Sequence, residues 1–177
     1  QEQAAQVKKV LDENLFTYHF QPIVSAKDGS VVAYEALMRA QVQPGISPIN
    51  IIKYASHLER LYDVERATFF NILQLVDEHE NEFAGRKIFI NSIPGSQLSG
   101  EEAQMLEKKL TKHANRVVVE LTEQTEADDK TLADMKSGYE KLGIETAVDD
   151  YGTGYSNIVN LLRYMPNYVK VDRMLLT

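Results

Sequence analysis

Cysteine is absent from the chain. Disulfides, thiolate metal sites and a cysteine nucleophile are therefore excluded, and the absence agrees with a reducing compartment. Long apolar runs are lacking too. None reaches the length that crosses a bilayer, and the N-terminus has no signal-peptide pattern. The segment reads as cytoplasmic, with no membrane insertion of its own. Basic charge is in deficit, with 19 Lys and Arg against 26 Asp and Glu and a formal net charge of −7. That balance offers no footprint for long nucleic acid, although a small nucleotide held through metal ions stays open. Repeats, low-complexity tracts and internal linkers are missing as well. His19, His57, His79 and His113 share no ligand spacing and read as structural or surface residues. What remains is 177 residues, 44% of them hydrophobic, enough for one domain with a real core.

Val7, Val10, Leu11 and Leu15 recur at helical spacing. They mark residues 1–15 as an N-terminal helix, either a linker from an upstream domain or a first helix packed on the core. Residues 16–24 and 31–37 read as strands joined at Lys27-Asp28-Gly29, and so short a link makes them antiparallel. Helix and strand alternate from there. Ser47 caps a helix that Pro48 opens, with Ile49, Ile52, Ala55 and Leu58 expected inward. A second helix is expected over 63–82, burying Val64, Ala67, Phe70 and Leu73. Ser99 and Glu102 form a capping box for a helix to about 113. A helix over about 128–142 is closed by Gly143, and a short one ends at Pro166. Further strands are expected at 87–91, 116–121, 144–149 and 168–172. Parallel strands with crossover helices define an α/β fold. Six strands fall short of the eight that close a parallel barrel, and an unclosed barrel exposes its edges and one side of its core. Residues 16–177 are therefore expected to be one barrel domain, truncated after the sixth strand.

Polar residues sit at the ends of the apolar runs. Glu35 follows Val31-Val32-Ala33-Tyr34, Asn91 follows Ile88-Phe89-Ile90, and Glu120 follows Val117-Val118-Val119. Asp149 and Asp150 end the run from Ile144, before Tyr151-Gly152-Thr153-Gly154-Tyr155. In parallel α/β folds the C-terminal strand ends face one shared site. Four carboxylates and an amide there repel one another unless cations sit among them, and hard divalent ions with oxygen ligands meet that demand. A metal-dependent site that handles phosphate is the reading. Taken singly, each residue also fits a plainer role: a solvated charge, a turn residue or a helix-start pair. Lys170, between Val169 and Val171, points either into the barrel mouth, where it could hold or deprotonate a water, or to the outer face. Arg39 could clamp a phosphate or lie on the surface.

Jointly these residues resemble the EAL-domain family of cyclic di-GMP phosphodiesterases, along nearly the whole chain. Phe20-Gln21-Pro22-Ile23 resembles the family's opening strand, and Glu35-Ala36-Leu37 is its signature, followed by Met38-Arg39. Ile90-Asn91-Ser92, Glu120-Leu121-Thr122-Glu123, the segment from Asp149 to Ser156, and Lys170-Val171-Asp172-Arg173 resemble its remaining motifs in order. The resemblance implies a modified TIM barrel with an antiparallel first strand. It implies that Glu35, Asn91, Glu120, Asp149 and Asp150 bind Mg²⁺ or Mn²⁺, two ions in all, and that Lys170 and Glu35 are catalytic, with Lys170 orienting or activating the attacking water. Gln21 and Arg39 would contact cyclic di-GMP. Gly152, Thr153, Gly154 and Tyr155 would couple substrate, metal and a homodimer. The product implied is linear pGpG.

The chain departs from the family pattern at Tyr151, where phenylalanine is usual, and at Asn157, where serine is usual. A further metal-binding glutamate and a substrate-contacting glutamine, which the family carries on its last two strands, have no counterpart before Thr177. The 177-residue chain by itself is therefore expected to be inactive. The rival readings on the same fold are a non-catalytic cyclic di-GMP receptor and a regulatory interaction domain. Retention of every ligand visible here favours the enzyme.

Overall fold

Six β-rich runs pair side by side in the order in which they are written, β1-β2-β3-β4-β5-β6. The computed structural model describes residues 2–122, 129–151 and 165–171. Strand β1 (Phe16–Val24) runs antiparallel to β2 (Val31–Ala40), and β3 (Lys87–Ser92), β4 (Val117–Thr122), β5 (Glu145–Tyr151) and β6 (Tyr168–Val171) follow in parallel. Their helices are α1 (Glu2–Glu13), α2 (Pro48–His57), α3 (Leu61–Glu78), α4 (Glu80–Phe83), α5 (Gly100–Lys112) and α6 (Asp129–Lys141). The architecture is α/β, part of a TIM-like barrel with an antiparallel first strand.

Local chemistry explains the antiparallel start. The Asp28 carboxylate accepts from the Ser30 N–H at 3.0 Å and from the Ser30 hydroxyl at 2.7 Å. Gly29 takes the left-handed conformation that closes so short a link, with φ of +72°. Ten-residue β2 then extends beyond Glu35, because its far end still pairs with β1, Phe16 opposite Ala40. Glu35 is therefore mid-strand rather than terminal. Its parallel pairing to β3 does end one residue later, at Ala36, so Glu35 still lies at the rim of the parallel sheet.

Alternation along each strand divides the residues between two cores. Ala36, Ile88, Ile90, Val117, Val119 and Leu121 face the helices. Ala33, Phe89, Val118 and Ala147 face inward, with Ile23 and Tyr168 against them, and the Phe89 and Tyr168 rings meet edge-on at 5.2 Å. On the helix side α1 buries Val7, Val10 and Leu11, so it packs on the core.

Three helix expectations are corrected. In α2, Ile51 and Ala55 are buried while Ile49 is 79% exposed and Leu58 is exposed. The run Ile49-Asn50-Ile51-Ile52 carries isoleucines on more than one face, and packing selects among them. The second helix breaks at His79 into α3 and α4. Its buried face is Val64, Phe69, Ile72, Leu73 and Val76, with Ala67 and Phe70 half-buried on the shoulder. Ser99 makes no side-chain cap bond to α5; Gly100 adopts φ of +58° there, which turns the chain away from capping-box geometry. Ser47 does cap α2, accepting from the Asn50 N–H at 3.3 Å. The helix expected before Pro166 and the loop Gly152, Thr153, Gly154, Tyr155 lie outside the described residues.

The α2 correction has a direct test. Ile51→Ala should lower the free energy of urea unfolding by roughly 2–5 kcal/mol, the range for emptying a buried isoleucine site. Ile49→Ala should change it by no more than about 0.5 kcal/mol, as surface substitutions do.

Candidate active site

The inward-facing apolar layer prepares the layer above it. Two residues beyond Ala33, Phe89, Val118, Ala147 and Tyr168 along the parallel strands lie Glu35, Asn91, Glu120, Asp149 and Lys170. A period of two keeps each pair on one face, so five polar side chains from five strands face inward toward the same rim. Their register is staggered: Asn91 stands opposite Glu120 and Gln21 of β1 opposite Glu35, while Glu35 stands opposite Phe89 and Glu120 opposite Ala147. Strand β6 is locked beside β5 by Asn167, whose side-chain oxygen accepts from the Thr146 N–H and whose own N–H donates to the Thr146 carbonyl, both at 2.9 Å. That clasp sets the height of Lys170.

One oxygen each from Glu35, Glu120 and Asp149 lies within 4.8 Å of the others. The Lys170 ammonium stands among them, 2.9 Å from Glu35, 3.2 Å from Glu120 and 3.5 Å from Asp149. The Asn91 amide donates to Glu35 at 3.5 Å. Glu120 is fully buried. Burial, helped by the charges of Glu35 and Asp149 and opposed by Lys170, pushes its carboxyl up to about 7. For Lys170 burial works downward, but Glu120, Glu35 and Asp149 outweigh it and raise its pKa. Lys170 therefore faces inward, and Val169 and Val171 are the exposed neighbours.

The donor set fits a hard divalent cation. All its ligand atoms are oxygens, and one of them, Glu120 Oε1, is buried without a hydrogen-bond partner. A buried carboxylate oxygen left unpaired is costly unless a cation satisfies it. Glu35, Asn91, Glu120 and Asp149 are thus brought together. Asp150 follows Asp149 on the same strand, but its side chain lies outside the described residues. Gln21 is adjacent and exposed. Arg39 shares the inward face of β2 four residues on, and its guanidinium donates to the Met38 carbonyl at 2.7 Å rather than joining the cluster. A cavity of about 630 Å³ opens elsewhere, between α3, α5 and α6, lined by Glu65, Glu107 and Asp134 among others; among the described residues the carboxylates close enough to share one ion are those at the strand ends, so the site is assigned there.

Comparison with known proteins agrees with this architecture. The family model described as "EAL domain" matches residues 4–177, and the chain belongs to that family. It is 29% identical over 161 residues to the probable cyclic di-GMP phosphodiesterase PdeB of Escherichia coli K12, an alignment covering 88% of this chain and 31% of PdeB. It is 26% identical to the cyclic di-GMP phosphodiesterase PdeR of the same organism, covering 95% of this chain and 26% of PdeR. The chain thus spans about a third or less of these curated relatives. Among solved structures it superposes on the c-di-GMP complex of the PaMucR phosphodiesterase with a TM-score of 0.80 at 22% identity, covering 99% of this chain and 74% of that one. On the manganese and cyclic di-GMP complex of Klebsiella pneumoniae BlrP1 the TM-score is 0.75 at 24% identity, covering 92% and 41%. These structural likenesses establish the fold.

One buried carboxylate escaped the sequence reading. Glu65 of α3 is 2% exposed. It accepts from the Ser92 hydroxyl and, at 2.8 Å, from the Ile93 N–H. Its signal was available: Glu65 lies four residues before Phe69, inside the apolar stripe. Burial pushes its carboxyl up to about 7 against these hydrogen bonds, which act downward. The fold therefore favours the neutral acid. Its contribution to stability is complete below about 4.5, the ordinary value, and is lost as pH rises through 7. Between those limits the wild type should lose on the order of 3 kcal/mol more unfolding free energy than Glu65→Gln, measured by urea titration at stepped pH.

Proposed function

We propose that residues 16–177 form the metal- and substrate-binding part of an EAL barrel that hydrolyses cyclic di-GMP to linear pGpG. The observation that carries this reading is the convergence of Glu35, Glu120 and Asp149 on one point beside Lys170. The names of PdeB and PdeR supply the substrate and the reaction class. The manganese and cyclic di-GMP complex of BlrP1 supports a divalent ion beside the same ligand. Glu35, Asn91, Glu120, Asp149 and Asp150 would hold Mg²⁺ or Mn²⁺, two ions in the family's manner. Bound there, such ions supply Lewis acidity to the phosphodiester and acidify water.

The chain's own residues do the rest. Lys170, its ammonium turned toward Glu35, Glu120 and Asp149, would orient or activate the attacking water. Asn91 directs its amide at Glu35 and holds that carboxylate's aim. Gln21 stands on the strand beside Glu35, and Arg39 lies farther along the same face with a planar donor fork suited to phosphate. The segment Gly152, Thr153, Gly154 and Tyr155 would join the substrate site to a homodimer interface. Residues 1–15 serve as the lead-in helix. A cytoplasmic setting matches the substrate. The family's further glutamate and glutamine complete the site, so the 177-residue chain assayed by itself should turn over little cyclic di-GMP.

The roles separate by mutation in the complete domain. Glu35→Ala should weaken Mn²⁺ binding and lower hydrolysis at least about 100-fold, since even outer partners of metal ligands cost 10- to 100-fold. Near-normal turnover at low metal would remove Glu35 from the site. Lys170→Ala should keep Mn²⁺ affinity and lower kcat by roughly 100- to 1000-fold, the cost of one preorganised donor. A non-catalytic receptor would instead bind cyclic di-GMP and yield no pGpG in the wild type.

A further inference from the structure

Strand β3 ends in two consecutive side chains with opposite duties. Asn91 faces inward and donates to Glu35. Ser92 faces the helix layer, where it is 2% exposed. Alternation makes this unavoidable, so whatever grips Ser92 from outside also sets the rotation of β3 about its axis, and with it the direction of Asn91. Glu65 supplies that grip. One carboxylate oxygen takes the Ser92 hydroxyl and the other takes the Ile93 N–H. The two bonds fall on successive residues directly after Asn91. The support is stiff on both sides, because Val64 and Phe69 anchor the same turns of α3 in the core, and Tyr139 of α6 lies close enough to Ser92 and Glu65 to interact with both.

We propose that Glu65 is a positioning residue for the carboxylate site, clamping the exit of β3 so that the Asn91 amide stays aimed at Glu35 and at the cation held beside it. The cation part rests on the metal-binding reading above; the aim of Asn91 does not. Ionised, Glu65 accepts from both partners; protonated, it still accepts from the Ile93 N–H and can donate to the Ser92 oxygen. A glutamine can do the same with its oxygen and N–H₂, so only an apolar side chain such as leucine loses both bonds. Ligand orientation by such outer partners is a general requirement of metal sites.

The test uses the 177-residue chain, with Glu65→Leu, which removes both bonds, the milder Ser92→Ala, which removes one, and Glu65→Gln, which can keep both. Val76→Ala is the control. Val76 is equally buried on α3, about three turns from Glu65, so its loss destabilises the helix without touching β3's exit. Two quantities are read well below each variant's melting temperature. One is Mn²⁺ affinity, from the free-ion electron paramagnetic resonance signal. The other is the side-chain amide resonance of Asn91 in ¹⁵N-labelled protein, assigned by its disappearance in Asn91→Asp. Glu65→Leu is expected to weaken Mn²⁺ binding by roughly 10-fold and to shift the Asn91 resonance, with Ser92→Ala moving both in the same direction by less and Glu65→Gln staying near the wild type. Val76→Ala should lose stability and leave both unchanged. Wild-type Mn²⁺ affinity and an unmoved Asn91 resonance in Glu65→Leu would overturn the proposal, as would equal effects from Val76→Ala. A wild type that takes up no Mn²⁺ would remove the metal-binding reading instead. The Asn91 resonance, recorded without metal, would still decide the role of Glu65.

Discussion

Three carboxylates crowded into a protein interior repel one another, and the rim of this sheet is organised around that repulsion. At separations near 4.8 Å, two unit charges interact by about 3 kcal/mol even at an effective dielectric of ~20. Lys170 offsets part of this by standing within 3.5 Å of all three. Glu120, fully buried, meets the rest by holding its proton to higher pH than a solvated carboxyl does. With all three ionised, one ammonium leaves a formal excess of two negative charges among the described side chains. An all-oxygen cluster of that charge suits a small, hard cation.

Much of this could be read from residue order. The parallel strands, their crossover helices and the antiparallel start follow from apolar runs, caps and a three-residue turn. Glu35, Asn91, Glu120 and Asp149 were visible because each follows an apolar run, whereas Lys170 lies inside one, and strand ends in parallel sheets converge. What could not be read depended on partners distant in the chain. Glu35 looked terminal because Met38-Arg39-Ala40 carries no strand signal of its own; pairing with Phe16 and its neighbours extends β2. The inward face of α2 was misjudged because Ile49, Ile51 and Ile52 offer competing stripes, and only the surface beneath the helix chooses. Glu65 was overlooked for a related reason. A lone glutamate in a helix is ordinarily solvated, and its two hydrogen-bond donors sit nearly thirty residues away on β3. The direction of Lys170 stayed open until the clasp of Asn167 on Thr146 placed β6 in register.

The inner face of the sheet also explains why the charge gathers at one end only. Below the apolar layer, Lys87 and Glu145 form an ion pair, and the Tyr168 hydroxyl donates to the same carboxylate at 3.3 Å. Lys87 reaches on to the Asn115 carbonyl at 3.3 Å. That layer pairs one cation with one anion, both partly exposed to solvent. The layer of Ala33, Phe89, Val118 and Ala147 then separates it from the rim with side chains that carry no polar atom. A charge introduced at the rim is therefore not screened or compensated from below. The base thus carries a matched pair, and the rim carries more carboxylates than cations among the described residues. The same alternation that buries Ile88 and Ile90 under the helices delivers Phe89 to the dividing layer and Asn91 to the rim. A one-residue slip of β3 would exchange these roles at a stroke. Register at the exit of β3, where Glu65 holds Ser92, is thus where folding and chemistry constrain each other most closely.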